Sequence, residues 1–462
     1  MKNMIRTNSW LQQSEAFYQY VAPTPLADPY FVHCNEQVAQ LFRLSAEQLN
    51  SDSNLRYFNG DEIAAQLSPI ATVYAGHQFG IFTSKLGDGR TILLGEVLGF
   101  KGDKYEIQLK GAGLTPFSRT LNGRYLLSDA LREYLASEAL SGIGIPCTRA
   151  LCLLGSRTEI GSGTAAILVR IARSHLRFGH FEYFHHLEDF GAVRELFNFV
   201  LEQHFPELLN EVPAQRPLKF LEIVIMRTAR LLASWQSVGF THGVMNTDNM
   251  TLSGETLDLG PFGFMEAYDP AFSPNPSDDQ NRYQFDQQAD IGRWNCLALA
   301  QAVSSLLATP TIPAGLLRLY RQTYQQLYLQ IMREKLGLYT QLDGDREFIN
   351  SLLTVLTHTH ADYTDFFRNL AQFETGCKSQ DLFPDIADMD LLQSWLHRYQ
   401  ERLAVERRPN KVRRKAMNQI NPAYILRESI LNRVVQSAEK GDFTELDRVM
   451  ALLKNPYQEP LT

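Results

Sequence analysis

The chain has 462 residues, more than one hydrophobic core usually organises, so two packed lobes or domains are expected. Its 44 Lys+Arg against 51 Asp+Glu give a net charge of -7, which argues against a nucleic-acid coat and confines any polyanion site to a local patch. A composition of 44% hydrophobic and 21% charged residues argues against disorder and against a fibre.

Residues 1–72 read as an extension that wraps a later domain. Short apolar pieces alternate with turn formers at Pro23-Thr24-Pro25 and Asp28-Pro29, and Glu62 to Leu67 carries a short helical pattern. The N-terminus has no apolar run of signal-peptide length, and no stretch approaches a membrane span. The five cysteines (Cys34, Cys147, Cys152, Cys296, Cys377) are odd in number, scattered and without a C-x-x-C pair. They predict neither a disulfide framework nor a thiolate zinc site, and they fit a reducing, cytoplasmic setting. Cys147 and Cys152 flank strand-like residues and read as small buried hydrophobes.

Residues 73–185 read as a small α+β lobe. Glycine-punctuated strands run from Tyr74 to Gly113, with Gly76, Gly80, Gly87 and Gly89 before Arg90 in a region where backbone amides can approach an anion. In KYEIQLK, Tyr105, Ile107 and Leu109 alternate with Glu106, Gln108 and Lys110, so Lys110 sits on the polar face. Ser128 to Leu140 reads as a helix with Ser128 as N-cap candidate and Glu133 and Glu138 as inward-reaching acids. Two strand-like runs, CTRALCLL and AAILVRIA, follow, the second leading into RSHLRFG.

Residues 186–385 are mainly helical, with apolar periodicity over 192–205, 220–239, 288–307 and 316–332, and 386–462 read as a C-terminal helical extension. Phe272 to Asp279 reads as a mobile loop. His185-His186 and His358-Thr359-His360 have no further ligand at metal spacing, and Lys411, Arg413, Arg414 and Lys415 read as a solvated face.

The segment Thr241 to Gly260 carries the chemistry. Kinase-type catalytic loops run His-Arg-Asp or His-Gly-Asp, four residues, then Asn, followed by an Asp-Phe-Gly whose Asp holds magnesium. His242, Gly243, Asn249 and Asp258 fit this template, whereas Val244 stands where the hydroxyl-activating Asp belongs and can accept no proton. Asn249 and Asp258 offer hard oxygens of the kind Mg²⁺ takes together with phosphate. Asp248 is the nearest carboxylate able to serve as base. Upstream, Lys110 and Glu133 have the order of the kinase strand Lys and helix Glu.

The strings YAGHQFG, LGDGR, QLKGAGLTPFSR, SDALREYLASEAL, SHLRFG-x-FEYF, THGVMNTDNM, DLGPFGFMEAYDP, ADIGRWN and NPAYILR, from about Phe17 to Tyr457, resemble the selenoprotein O family. The resemblance implies a protein-kinase-like bilobal fold, with a strand-rich N-lobe and a helical C-lobe. It also implies ATP bound in flipped orientation with Mg²⁺ or Mn²⁺, and transfer of AMP to Ser, Thr or Tyr hydroxyls of proteins with release of pyrophosphate. Use of UTP is described for some members. Carried over by position, it makes Asp248 the proton acceptor and Asn249 and Asp258 metal ligands. Gly87, Gly89, Arg90, Lys110, Asn122, Gly123, Arg170, Arg177 and Asp258 become nucleotide contacts, with Glu133 as partner of Lys110.

Asn122 departs from the family's Asp, keeping an acceptor and losing the charge. The cysteines through which some members form a regulatory disulfide are absent from the 272–279 loop and from the C-terminus, so no redox control through that bond is expected. Two other readings use the same residues: a phosphotransferase that moves the γ-phosphate, opposed by Val244, and a non-catalytic ATP-binding scaffold, opposed by Asp248 and both metal ligands. No nucleic-acid or membrane partner is expected.

Overall fold

The computed structural model describes every residue except 1–4, 6, 62, 64–66, 120–121, 310, 387 and 460–462. The helical pattern expected from Glu62 to Leu67 thus falls on a stretch lying mostly outside the described residues. The strands are β1 (Tyr18–Tyr20), β2 (Tyr30–Cys34), β3 (Ile70–Thr72), β4 (Gly76–Gln78), β5 (Ile81–Thr83), β6 (Thr91–Leu98), β7 (Lys104–Lys110), β8 (Tyr125–Leu126), β9 (Arg149–Ile160) and β10 (Gly163–Ala172). The main sheet is antiparallel in the order β1-β3-β6-β7-β10-β9-β2, with β8 on β10, while β4 and β5 form a separate hairpin. Residues before 73 therefore supply both edges of the sheet. Cys34 and Cys152, distant in sequence, are register partners on β2 and β9, and both thiols are free.

The alternation in β7 predicts one apolar and one polar face, and the structure buries both. Ile107 and Leu109 share a core with Ile92, Val169, Val38, Leu49 and Phe58, contributed in part by the short helices α1 (Glu36–Gln40), α2 (Ala46–Leu49) and α3 (Asp52–Asn59). The other face is covered by α4 (Leu127–Gly142), whose Leu131 and Leu135 join Leu153 and Leu168. Glu106, Gln108 and Lys110 are consequently 2, 1 and 4% exposed, which obliges each to find a partner inside the protein. Ser128 is not the cap of α4. Pairing of β8 with β10 holds Leu126 extended, the helix begins at once behind it, and Leu126 takes the N-cap position with no side-chain bond.

Beyond the sheet come α5 (Phe178–His186), α6 (Phe190–His204), α7 (Arg216–Ser237), the short pair β11 (Phe240–Thr241) and β12 (Gly263–Phe264), α8 (Gln288–Ala302) and α9 (Ala314–Lys335). In α7, Phe220, Leu221, Val224, Ile225, Leu231 and Leu232 are buried at helical spacing, and the helix packs on α8 and α9. The remaining helices are α10 (Asp345–Thr359), α11 (Tyr363–Leu370), α12 (Ser379–Leu382), α13 (Met389–Ala404), α14 (Asn410–Ile420), α15 (Glu428–Ala438) and α16 (Thr444–Leu453). α15 and α16 fold back onto α4, where Glu428 takes a two-pronged bond from Arg132 at 2.8 and 3.2 Å and Tyr457 Oη donates to Ile143 O at 3.0 Å. No helix among the described residues is long and apolar enough to cross a membrane.

Two expectations are corrected. The 272–279 loop is tied down: buried Asn275 donates to Gly243 O at 2.9 Å, and buried Asp278 accepts from the backbone of Arg282 and Tyr283 at 3.0 and 2.7 Å. Arg413 is not part of a solvated face. It is 3% exposed and donates to Leu370 O, the last carbonyl of α11, at 3.5 Å, to Phe373 O in the turn that follows and to Tyr399 Oη, acceptors that need a buried donor there.

Candidate functional site

A cleft of about 290 Å³ lies between the sheet and the 244–261 segment. Of the residues singled out in the sequence, Gly87, Gly89, Arg90, Lys110, Arg177, Asp248, Asn249 and Asp258 line it. Glu133 and Arg170 lie behind this wall, buried to 2 and 1% exposure. Asn122 and Gly123 do not reach it. Asn122 is exposed and accepts from Arg124 N at 3.0 Å, and Gly123 O accepts from Gly113 N at 3.1 Å, closing a neighbouring turn.

The back of the cleft is a charge cluster assembled by sheet register. Lys110 stands opposite Leu168, and Gln108 opposite Arg170, so Lys110 and Arg170 project from the same face of adjacent strands. Lys110 Nζ donates to Glu133 Oε2 at 2.5 Å and to Asp258 Oδ1 at 2.8 Å. Arg170 donates to Asp258 Oδ1 at 2.5 Å, Glu133 Oε1 at 3.1 Å and Gln108 Oε1 at 2.7 Å. Arg177 reaches Asp258 Oδ2 at 2.5 Å and the carbonyl of Asp248 at 2.6 Å, its guanidinium lying 4.8 Å from the Tyr74 ring centroid.

Burial pushes the Asp258 carboxyl up, but Arg177, Lys110 and Arg170 together outweigh it and hold it well below the usual carboxylate range. For Glu133 the same contest between burial and the cations Lys110 and Arg170 also ends below its ordinary value. Lys110, Arg170 and Arg177 thus converge on Asp258 and Glu133, with Asp88 4.0 Å from Arg177 as a third carboxylate. Arg90, stacked 4.5 Å over the Tyr125 ring at the cleft wall, has no carboxylate partner among the described residues.

Local structure explains why these side chains meet. Arg177 caps α5 and its N–H donates to His180 Nδ1 at 3.0 Å, a bond that needs the neutral imidazole. Burial supplies that state by pushing His180 down to about 3. Phe178 N donates to Met250 O at 2.9 Å, which ties this helix start to the 246–250 loop. His242, kept neutral by burial, bonds Leu257 O through Nε2 at 2.9 Å and accepts Val244 N–H at Nδ1. It thereby fixes the residue before Asp258, which itself sits at φ +57, a conformation Asp tolerates better than most residues. The Gly87-Asp88-Gly89 turn is held by Asp88, 1% exposed, which accepts from Thr72 N and Oγ1 at 2.9 and 2.6 Å. Gly87 has φ +112, and a Cβ there would come within 2.5 Å of Phe117.

Asn249 Nδ2 donates to Val244 O at 3.0 Å, which turns Oδ1 away from that carbonyl. Among the described residues Asp258 Oδ2 has Arg177 as its one hydrogen-bond partner, so a lone-pair direction remains on it as well. These hard oxygens fit a divalent cation such as Mg²⁺ that completes its shell with phosphate and water. No group of three or more His, Cys, Asp or Glu side chains suited to a metal occurs among the described residues, so such a cation depends on the nucleotide for the rest of its ligands. Asp248 is 8% exposed: Oδ2 accepts from Gln78 Nε2 at 3.2 Å, and buried Oδ1 has no partner among the described residues. Burial pushes this under-satisfied carboxyl up to about 6, against the pull of Arg177.

The sequence reading missed Gln78, Tyr74, Tyr125, Phe117 and Arg119, all of which line the cleft. Tyr74 and Gln78 lie in the glycine-punctuated stretch and Phe117 and Arg119 in QLKGAGLTPFSR, whereas Tyr125 lies outside both. Tyr125 also donates to Glu133 Oε2 at 2.7 Å. The β4–β5 hairpin lies over the 246–248 loop, with His77 N donating to Thr247 Oγ1 at 2.7 Å and Phe79 N to Asn246 Oδ1 at 3.2 Å.

Comparison with known proteins adds a second line. The family model described as protein adenylyltransferase SelO matches residues 2–454. The protein nucleotidyltransferase YdiU of Vibrio vulnificus strain YJ016 is 42% identical, covering 97% of this chain and 93% of the relative. The proteins of the same name from Myxococcus xanthus strain DK1622 and Herminiimonas arsenicoxydans are 41% and 39% identical, covering 98% and 99% of this chain and 93% of each relative.

Proposed function

The chain belongs to the protein adenylyltransferase SelO family and is a nucleotidyltransferase that transfers AMP to proteins, and from that premise we propose how its residues do so. The cleft takes ATP together with Mg²⁺ or Mn²⁺, and the acceptor is a Ser, Thr or Tyr hydroxyl of a protein. UTP is a second nucleotide of the same shape at its phosphates. The architecture is read as a kinase-like N-lobe over 73–185 and a helical C-lobe over 186–385, with extensions 1–72 and 386–462, working in the cytoplasm.

One observation carries the reading. A buried, under-satisfied carboxylate, Asp248, shares a cleft with a three-cation cluster, at a loop where Val244 leaves the ordinary kinase base position without a proton acceptor. Lys110 and Arg177, with Arg90 at the rim, face the phosphate chain, whose oxygens suit guanidinium forks, and Arg170 adds its positive charge from behind the wall. Asp248 accepts the proton of the acceptor hydroxyl as that oxygen bonds to the α-phosphorus. The bond from the α-phosphorus to the bridging oxygen breaks, and pyrophosphate leaves against the arginines. Asn249 and Asp258 are the residues that would hold the divalent cation, which when bound supplies charge neutralisation at the phosphates.

Gly87 and Gly89 let the backbone approach the nucleotide. The exposed position of Asn122 and the closed turn at Gly123 support a peripheral role for that pair. Incubation with ATP labelled at the α- or the γ-phosphate tests the assignment. Label on protein from the α-position alone is expected; label from the γ-position alone would replace it with phosphotransfer, and tight ATP binding without label with a scaffold.

A further inference from the structure

A second, larger concavity of about 820 Å³ lies immediately beside the cleft. The two share a chain segment: Gly260 and Pro261 line the cleft, and the next residues, Phe262 to Phe264, line the groove. Its opposite wall is the 272–276 loop, stitched to Gly243 by Asn275. The loop that fixes Val244 and Asp248 is thus bonded to the groove wall, and the two cavities are rigidly related.

The floor is apolar, built from Phe262, Phe264, Tyr268 and Phe272, with exposed Ala267 on its surface. The rim is acidic. Arg132 is matched by Glu428, and Arg427 is already held by Asp362 at 2.5 Å and Asp365 at 3.1 Å, with Glu266 a distant third at 3.9 Å. Asp269 is exposed and accepts from Ala271 N. Three of the groove's lining residues are carboxylates, Glu266, Asp269 and Glu428, against the single guanidinium of Arg132, so the excess around the hydrophobic floor is negative. A free nucleotide is repelled by such a rim, whereas a cationic, partly apolar chain is matched in both charge and surface.

We infer that this groove docks an extended segment of the acceptor protein, an apolar side chain on the aromatic floor and a Lys or Arg against Glu266 and Asp269, so that a hydroxyl a few residues away reaches the cleft. At about 3.3 Å per extended residue the step from groove to cleft is a short one. The inference rests on the protein-AMP-transfer reading and names the acceptor chemistry that reading leaves open.

The test uses the full chain with Mg²⁺ and two short fluorescein-labelled peptides. Both contain Ser, Thr and Tyr. One also carries Leu, Phe and several Lys, and in the other these are replaced by Gly and Glu. Binding is read by anisotropy with a non-hydrolysable ATP analogue present, and transfer with α-labelled ATP. The cationic apolar peptide should bind, and be labelled, about tenfold or more better. Ala267→Trp, which fills the groove, and Glu266→Lys, which reverses its rim, should each abolish that preference while ATP-analogue affinity stays unchanged. Equal binding of the two peptides, or a preference that survives both variants, overturns the groove. Self-association abolished by Ala267→Trp would overturn it too, in favour of a second copy of the chain. Preferential binding that both variants abolish, without α-label on any protein or peptide, leaves the groove standing and removes the transfer reading.

Discussion

Arg177 meets Asp258 at 2.5 Å with the same guanidinium nitrogen that holds the Asp248 carbonyl at 2.6 Å, so one side chain sets the spacing between the proposed proton acceptor and the proposed metal ligand. Arg177→Lys gives up the second guanidinium nitrogen, which faces Asp88 at 4.0 Å, and the flat contact with the Tyr74 ring, so the remaining donor is no longer held at the point where it meets both groups. AMP transfer should fall at least about 100-fold, a loss of roughly 2.7 kcal/mol in transition-state stabilisation. Far-ultraviolet circular dichroism should remain that of the parent. Retention of more than a tenth of the activity would separate Arg177 from the chemistry.

Asp258→Asn should cost stability as well as activity. A residue that only held a metal could be replaced with the fold intact, but Asp258 is also the counter-charge for Lys110, Arg170 and Arg177. Removing one partner of a buried ion cluster costs about 3–5 kcal/mol, and Asn is the gentlest choice because it tolerates the left-handed backbone at φ +57. Inorganic pyrophosphate restores the missing negative charge. It should therefore raise the melting temperature of Asp258→Asn more than that of the parent, and equal shifts in differential scanning fluorimetry would refute the cluster's role.

Gly76→Ala probes Asp248 sterically. A Cβ at Gly76 would lie 2.7 Å from Asp248 Oδ1 and 3.0 Å from its Cβ, so the carboxylate must move. The expected result is a fall in kcat of about tenfold or more with ATP affinity retained, read by calorimetry beside the label assay. An unchanged kcat would show that Asp248's position is not critical.

Lys335 gives a pH signature of stability. Its ammonium is 2% exposed, donates to Ser237 O at 2.7 Å and lies 4.0 Å from the Phe367 ring, and burial pulls its pKa down to about 7. Between about pH 7 and the ordinary lysine value the unfolded chain binds a proton there that the folded chain does not, so stability contributed at this site rises with pH. Lys335→Met should raise the melting temperature at pH 7 by about 2 °C or more and lose that advantage near pH 10. Ser237 O still accepts from Tyr363 Oη at 3.1 Å in the variant. A gain independent of pH would point to packing instead.

Dithiothreitol should leave activity unchanged. The 272–279 loop has no thiol, and Cys34 and Cys152 face each other on strands away from the cleft. Burial raises both thiols, Cys34 to about 12, so little thiolate exists to form a bond. Activation of severalfold would require a disulfide the fold does not suggest.

The order of Lys110, Glu133, Asn249 and Asp258 was legible because the chemistry demands those residue types at loop and strand positions. What could not be read was their convergence. Lys110 and Arg170 are brought together by the register of β7 with β10, Asp258 reaches Arg170 from 88 residues further along the chain, and no local pattern encodes either meeting. The polar side of β7 gave no sign of being buried, because alternation reports two faces and not what covers them; α4 covers this one. Ser128 looked like a cap because nothing local announces that β8 pairs with β10. Asn275 and Arg413 were misjudged for the same reason, since their partners, Gly243 and Phe373, are distant in sequence.

The contribution of both sheet edges by the first 34 residues bears on how the chain is made. During synthesis β2 emerges long before its partner β9 at 149–160 and waits unpaired, whereas β1 waits only for β3 at 70–72. Once docked they close β3 and β9 against further pairing. A chain lacking its first 34 residues would therefore present two open backbone ladders at once, and edge-to-edge association between molecules is the expected fate of such a product.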